Sequence, residues 1–225
     1  TLSLHDALPI CRTRLALGLQ TPPRFCGHLA YRGLIPLATP MADPQVTVWM
    51  GPRLHMVHYP VQAGRALNVV AIVHGHPPSD PQDWDHAAHA AQLLQALGPI
   101  CGPLQQTLQA VPEWRLWALN DRPPLTSPAQ MGQGAVALLG DAAHPMRPYL
   151  AQGAGMAIED AIVLGRALAG AGDRAQAARV LQSYEKARLE RTAKIQIGSR
   201  GNQWMKGPGN ADWVYGYDAW GVPLA

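Results

Sequence analysis

The residues best suited to chemistry lie in one short stretch, where a carboxylate is followed by a glycine-rich turn. The apolar residues 136–139 predict a short buried strand that ends beside Asp141. A carboxylate there can accept hydrogen bonds from sugar-like hydroxyl groups. Gly153 and Gly155 then open a predicted helix, whose bare amides can approach a ligand and whose positive end favours negative charge. The stretch predicts a ligand-binding site; the alternative is an ordinary strand–turn–helix corner with Asp141 as a cap.

The stretch as a whole resembles the second flavin-binding motif of the FAD-dependent aromatic hydroxylases, the p-hydroxybenzoate-hydroxylase-like group. Within that group it is most similar to the salicylate and 6-hydroxynicotinate monooxygenases. The resemblance rests on residues 140–145, residues 152–156 and the pair Glu159-Asp160. An ordinary corner does not account for two glycines and a loop proline at these places.

The resemblance implies a role in FAD binding for a small set of residues. In that family the aspartate of the motif binds the ribityl chain of FAD, and it corresponds to Asp141. The loop proline that touches the isoalloxazine corresponds to Pro148. The helix-start amides that face the flavin pyrimidine correspond to Gly153, Ala154 and Gly155, where the helix dipole would stabilise an anionic reduced ring.

The same resemblance implies an α+β fold, as a fragment of an α/β flavoprotein. A mixed or antiparallel substrate-domain sheet would precede the C-terminal part of the FAD-binding domain and a long C-terminal helix, with most of the Rossmann part missing. The predicted divisions are a non-native leader over residues 1–10, a substrate-binding domain over 11–120 and the C-terminal part of the FAD-binding domain over 121–225. A divergent natural amino terminus is the alternative explanation for residues 1–10.

The phosphate-binding fingerprint Gly-x-Gly-x-x-Gly is absent from this sequence. The resembling family carries that fingerprint near its amino terminus, where it holds the ADP half of FAD. We therefore expect an N-terminally truncated fragment, inactive alone, that does not hold FAD tightly.

Hydrophobic periodicity and turn residues predict the elements that position these side chains. The predicted strands cover Arg24–Pro36, Val46–Pro52, Arg53–Pro60, Ala66–His74 and Trp114–Leu119. The predicted helices cover Asp80–Leu97, Pro103–Gln109, Gly155–Ala169 and Asp173–Gly198. The first four strands suggest an antiparallel meander with one face packed and the other lining a pocket.

His55 and Tyr59 are the candidate substrate-binding and catalytic residues. Four positions apart on a strand, they would face the same side at a separation of about 13 Å. Enzymes resembling 6-hydroxynicotinate monooxygenase place a His-x-x-x-Tyr pair in the substrate pocket, where it binds or helps to deprotonate the ring hydroxyl. A histidine suits this proton transfer because its ordinary pKa lies near 6.5. Both residues could instead be ordinary sheet residues.

Other polar residues are predicted to be structural. Arg32 could anchor a substrate carboxylate, but a structural ion pair is favoured. His144 is expected to fix its loop, and His58 to face away from His55. No metal site is predicted, because neither His74/His76 nor His86/His89 has a carboxylate or cysteine at a supporting spacing. The family resemblance makes Tyr184, Arg188 and Arg191 packing residues.

Composition excludes several function classes. A net charge of +3 without a run of basic residues argues against nucleic acid. The three isolated cysteines are typical of reduced thiols in a cytoplasmic protein. No segment is long and apolar enough for a membrane span, and no signal peptide is visible. The aromatic tail over Trp204–Ala225 would shield the active-site side or form a homodimer contact.

The predicted function is hydroxylation of an aromatic or heteroaromatic ring with FAD, NAD(P)H and O2. In such enzymes FAD carries the redox chemistry, while the protein orients the ring and excludes water. Two alternatives remain open at this point. One is an inactive remnant or non-enzymatic FAD-binding module, and the other is a reductase or halogenase of the same fold.

Overall fold

The computed structural model describes residues 12–42, 45–52, 54–76, 85–88, 90–171, 173, 176–201 and 209–224. The chain divides into two compact units, and each is described by itself. One unit is Phe25–Leu119; the other comprises the described residues up to Arg24 and those from Asn120 onward.

A six-stranded sheet organises the first unit. Its strands are β1 (Arg24–Pro36), β2 (Thr47–Gly51), β3 (Leu54–Val61), β4 (Ala66–His74), β5 (Asp85–Ala88) and β6 (Trp114–Asp121), in the spatial order β2-β3-β4-β1-β6-β5. Strands β2, β3 and β4 form an antiparallel meander, and β1 pairs antiparallel with β4. These strands confirm the predicted ones, with the bounds of β1 and β4 as predicted. The predicted meander of four strands is wrong for β1, which pairs with β4 and not with β2.

One face of this sheet is packed and the other is more open. Met56, Val69 and Ala71 are fully buried on the packed face. Two helices, α2 (Ala90–Leu97) and α3 (Gly102–Gln109), cover that face and complete the core through their leucines. Because successive side chains of a strand alternate between faces, the neighbours of Met56 along β3 lie on the opposite face.

The predicted helix over Asp80–Leu97 is wrong at Asp85–Ala88 and confirmed from Ala90 to Leu97. Residues 77–84 lie outside the described residues, and Asp85–Ala88 form strand β5 instead of helix. Strand β5 pairs antiparallel with β6, with His86 opposite Leu116. Helix α2 begins only at Ala90. The hydrogen bonds gained by pairing with a distant strand stabilise β5 more than the weak helix propensity of these residues would stabilise a helix.

Two packed helices organise the second unit. They are α4 (Gly153–Ala169) and α5 (Ala177–Gly198), accompanied by α1 (Arg12–Ala16), α6 (Asp212–Tyr215) and the short strands β7 (Gly132–Gln133) and β8 (Val136–Ala137). The core of this unit includes Val163 and Tyr184 from the two long helices and Leu138 from the segment after β8.

Residues 12–24 were predicted to belong with the substrate sheet, but the structure groups them with the second unit. Nη1 of Arg14, a buried residue, donates a 2.8 Å hydrogen bond to the carbonyl of Ala142. Leu17 and Leu19 pack against the core of the same unit. These contacts explain the grouping, while the functional assignment of the two units stays a prediction.

Two further predictions in this unit need correction. The apolar run 136–139 is not a buried strand: β8 is two residues long, and Val136 and Leu139 are 43% and 41% exposed. Only Leu138 is fully enclosed, and its amide donates to the carbonyl of Met131. The long helix begins at Ala177, and the carboxylate of Asp173 accepts a hydrogen bond from the amide of Gln176 just before it.

The two units together confirm the predicted α+β fold, with helices and an antiparallel meander in one chain. None of the helices that the structure describes combines the length and the apolar character needed to cross a membrane.

Candidate functional site

Asp141 lies in a 3-10 turn, Gly140–Ala142, at the end of the segment that follows β8. Within the described part of the chain, its carboxylate makes no hydrogen bond and no ion pair. Burial raises the pKa of the Asp141 carboxyl, and the neighbouring His144 partly opposes that rise. The turn therefore presents an uncommitted acceptor, that is, a carboxylate without a hydrogen-bond partner among the described residues, and this carboxylate is only partly exposed to solvent.

The start of α4 presents uncommitted donors. The first backbone hydrogen bond of the helix runs from the amide of Met156 to the carbonyl of Gln152, at 2.8 Å. The amides of the preceding turn have no acceptor within the helix, and the Gln152 side chain does not cap them. A Cβ added at Gly153 would meet no atom within 4 Å, so the space beside this amide is open.

Pro148 begins a second 3-10 turn, Pro148–Leu150, and its side chain is exposed. The residue before it holds the loop in place, because Nη2 of Arg147 donates a 2.8 Å hydrogen bond to the buried carboxylate of Asp121. Ala151 then takes a left-handed conformation with φ of 51°, which is unusual for a residue other than glycine. This turn sets the direction in which the chain enters α4.

A buried carboxylate joins the Asp141 turn to α4. Oδ2 of Asp160 accepts a 2.8 Å hydrogen bond from the amide of Gly140 and lies 2.6 Å from Nε2 of His144. Its other oxygen accepts a 2.7 Å hydrogen bond from Nε of Arg188 on α5. Asp160, His144 and Arg188 are all buried. The expectation that His144 fixes its loop agrees with this contact.

Sequence analysis missed the importance of Asp160 and took Arg188 as ordinary packing. A signal for both was present. The buried face of α4 consists of Met156, Asp160, Val163 and Ala167, which recur at helical spacing. A carboxylate within an apolar stripe predicts a buried charge with a partner, because an unpaired charge there would be costly.

The other candidate residues, His55 and Tyr59, lie on β3 and belong to the first unit, whereas Asp141 belongs to the second. His55 stands opposite Ile72 of β4, and Tyr59 stands opposite Asn68. Both are partly buried, on the face opposite Met56. The structure thus brings His55 and Tyr59 to the more open face of the sheet, as predicted from their spacing.

Burial lowers the pKa of the His55 imidazole from its ordinary value of 6.5. The unfolded chain regains the ordinary pKa, so it binds more protons than the folded chain as the pH falls through about 6.5. Stability supplied by neutral His55 is therefore present above that pH and is lost on acidification towards the lower folded pKa.

A His55→Gln variant is expected to lose less stability than the wild-type chain between about pH 7.5 and about pH 5.5. Urea unfolding at the two pH values measures this, with His74→Gln at an exposed position as the control. Burial also lowers the pKa of His58, but that contribution is common to all three proteins. Equal losses in the wild-type and His55→Gln proteins would contradict the assignment.

Arg32 shares the open face of the sheet with His55. It stands opposite Val70 of β4, which stands opposite Val57 of β3, and Val57 and His55 are two positions apart on the same face. Its guanidinium lies 4.2 Å from the ring centroid of Trp117. No carboxylate in the described ranges forms an ion pair with it, so the favoured structural ion pair is not seen there.

Of the four histidines considered as metal ligands, His74 lies beside another histidine ring. The ring of His74 packs edge-on against His28, with centroids 4.4 Å apart. His89 lies outside the described residues. Among the residues that are described, no group of three or more His, Cys, Asp or Glu side chains could hold a metal ion.

Comparison with known proteins identifies the family. Residues 35–197 match the family described as FAD binding domain, which is more than half of the chain. The chain belongs to this family. FAD is the cofactor of the FAD binding domain family, and the matched range contains both sets of candidate residues.

Relatives and solved structures agree with this family. The chain is 37% identical over 187 residues to 3-hydroxybenzoate 6-hydroxylase of Klebsiella oxytoca, covering 81% of the chain and 45% of the relative. It is 35% identical over 212 residues to 6-hydroxynicotinate 3-monooxygenase of Bordetella bronchiseptica, covering 90% and 52%. A salicylate hydroxylase substrate complex superposes with a TM-score of 0.71 at 27% identity, covering 88% of this chain and 56% of that one.

These comparisons confirm the predicted resemblance to the salicylate and 6-hydroxynicotinate monooxygenases. The chain spans about half the length of the curated relatives it matches. The observed groups also fit part of FAD. An uncommitted carboxylate suits the sugar-like ribityl hydroxyls, and uncapped helix-start amides beside an open space suit the carbonyl oxygens of a flavin ring.

Proposed function

We propose that this chain belongs to a flavin-dependent monooxygenase that hydroxylates a small aromatic or heteroaromatic ring. One observation carries the proposal: in a chain of the FAD binding domain family, an uncommitted Asp141 carboxylate and an uncapped α4 start lie in the same unit. In this proposal, the second unit holds the ring side of FAD and the sheet of the first unit holds the substrate.

Each cofactor-binding residue has a role that follows from its chemistry. Asp141 accepts hydrogen bonds from ribityl hydroxyls, and the amides of Gly153, Ala154 and Gly155 donate to the pyrimidine edge of the ring. Pro148 offers an exposed apolar surface for the flat face of the ring. The positive end of α4 favours negative charge at that edge. Bound FAD would supply the redox chemistry, with NAD(P)H as the reductant and O2 as the source of oxygen.

His55 and Tyr59 act on the substrate in this proposal. Burial keeps His55 neutral at pH 7, so its imidazole can accept a proton from a ring hydroxyl. The Tyr59 hydroxyl, on the same face of β3, holds that ring by a hydrogen bond. A ring that has lost its hydroxyl proton is richer in electrons and reacts more readily with an electrophilic oxygen.

The substrate is proposed to be an aromatic or heteroaromatic hydroxy acid. Two relatives are named for 3-hydroxybenzoate and 6-hydroxynicotinate, each of which carries a hydroxyl and a carboxylate. Arg32, without a carboxylate partner among the described residues, offers a cation on the same face as His55.

Incorporation of labelled oxygen tests the proposed function. The chain would be joined to the residues of the Klebsiella relative that lie outside the aligned segment, and folding checked by the visible spectrum of bound FAD. With NADH and 18O2, the chimera is expected to add one 18O atom to 3-hydroxybenzoate or 6-hydroxynicotinate. A His55→Ala chimera should lose about 100- to 10,000-fold in rate, the range of a general base. NADH oxidation without labelled product, in a chimera that holds FAD, would contradict the proposal and favour a reductase.

A further inference from the structure

We propose that Asp160 is a positioning residue for the flavin-binding turn, acting through the backbone and side chain on either side of Asp141. This inference rests on the proposed function, because it assumes that the turn contacts FAD. Asp160 lies on α4, the helix that also supplies the donor amides at its start, and it is fully buried.

The contacts of Asp160 bracket Asp141 along the chain. A single oxygen, Oδ2, accepts the amide of Gly140, at 2.8 Å, and lies 2.6 Å from Nε2 of His144. These two residues precede and follow Asp141. Because the acceptor is part of α4, its hydrogen bonds fix the position of the Asp141 turn relative to the first turn of that helix.

The approach of the turn to the helix is close. Gly140 has a φ of 55°, in the left-handed region, and a Cβ added there would lie 3.4 Å from the Cβ of Ala157. A glycine is therefore suited to this position, both for its backbone angle and for the space available. The hydrogen bond from its amide to Asp160 holds this conformation in place.

The charge of Asp160 is maintained by its partners. Burial alone would raise the pKa of Asp160, but the hydrogen bond and charge of His144, together with the charge of Arg188 and the Gly140 amide, lower it overall. An ionised carboxylate only accepts hydrogen bonds, so His144 donates through Nε2–H. The Nδ1 atom of His144 is buried and has no hydrogen-bond partner among the described residues.

A matched pair of variants separates positioning from general support. Asp160→Asn and Glu159→Gln both remove a carboxylate that is bonded to Arg188, but only Asp160 also contacts the Asp141 turn. Equilibrium dialysis of the 225-residue chain against FAD gives the dissociation constants, and urea unfolding gives the stabilities. We expect Asp160→Asn to weaken FAD binding by about tenfold, corresponding to the loss of one hydrogen bond to a charged group, and Glu159→Gln to change it less than about threefold.

Histidine variants provide a second test that does not remove the buried carboxylate. The amide nitrogen of His144→Gln can reach the position of Nε2 and donate to Asp160, whereas His144→Leu cannot. We expect FAD affinity near the wild-type value for His144→Gln and a loss of about tenfold for His144→Leu. If Asp160→Asn does not fold, these two His144 variants test the positioning role instead.

The outcomes distinguish this inference from the function on which it rests. Wild-type FAD affinity in Asp160→Asn, or equal losses for Asp160→Asn and Glu159→Gln that follow their losses of stability, would overturn the positioning role. Equal affinities for His144→Gln and His144→Leu would do the same. If replacing Asp141 itself leaves FAD binding unchanged, the proposed cofactor site fails instead.

Discussion

Replacing Arg188 with methionine is expected to lower the free energy of unfolding of the chain by about 3–5 kcal/mol. Arg188 is fully buried, and its guanidinium donates to Asp160 and to Glu159 at 2.7 Å each. Burial alone would lower the pKa of Arg188, but the two carboxylates raise it overall, so the group stays charged. Methionine keeps an apolar stem of similar length but leaves the buried charge of Asp160 without the guanidinium that faces it.

Urea unfolding of Arg188→Met at neutral pH measures this loss. Arg179→Met is the matched control on the same helix, because Arg179 is exposed and its guanidinium bonds only to Gln176 within the described residues. The double variant Arg188→Met with Asp160→Asn should recover part of the stability, since the unpaired charge is then gone as well. A loss below about 1 kcal/mol for Arg188→Met, comparable to that of an exposed pair, would show that the buried ion pair is not a major support of this unit.

The strands of the sheet and the consecutive pairing of β2, β3 and β4 could be predicted from sequence because their information is local. Strand β4 is an apolar run interrupted only by Asn68, β1 is closed by Pro36, and the side chains of each strand alternate between the two faces of the sheet. The positions of His55 and Tyr59 on one face follow from the same alternation. The cofactor-binding residues were recognised from a motif, whose spacing encodes the turn and the helix start directly.

The remaining features depend on contacts between distant parts of the chain. Strand β5 exists because it pairs with β6, and no local pattern in Asp85–Ala88 distinguishes it from the start of a helix. The ion-pair network needs the crossing of α4 and α5, which places Asp160 beside Arg188, 28 positions later. The spacing of single residues does not encode that crossing.

Loss of the Asp141 carboxylate is expected to weaken FAD binding by about 10- to 100-fold, the range for one hydrogen bond to a charged group. The carboxylate has no partner of its own in the described part of the chain, so its removal leaves no buried group unpaired. Asp141→Ala should therefore affect the ligand much more than the fold. Asp141→Asn, which keeps a neutral acceptor oxygen, should lie between Asp141→Ala and the wild-type chain.

FAD affinity of the 225-residue chain, measured by equilibrium dialysis for the wild type, Asp141→Ala and the exposed control Asp173→Asn, is the most direct test of the proposed cofactor site. The wild-type chain and Asp173→Asn should bind one FAD weakly but saturably, and Asp141→Ala should bind it at least about tenfold more weakly at unchanged stability. Equal FAD affinity in all three proteins, or no saturable binding by the wild-type chain up to about 1 mM, would contradict the assignment of this turn to the flavin.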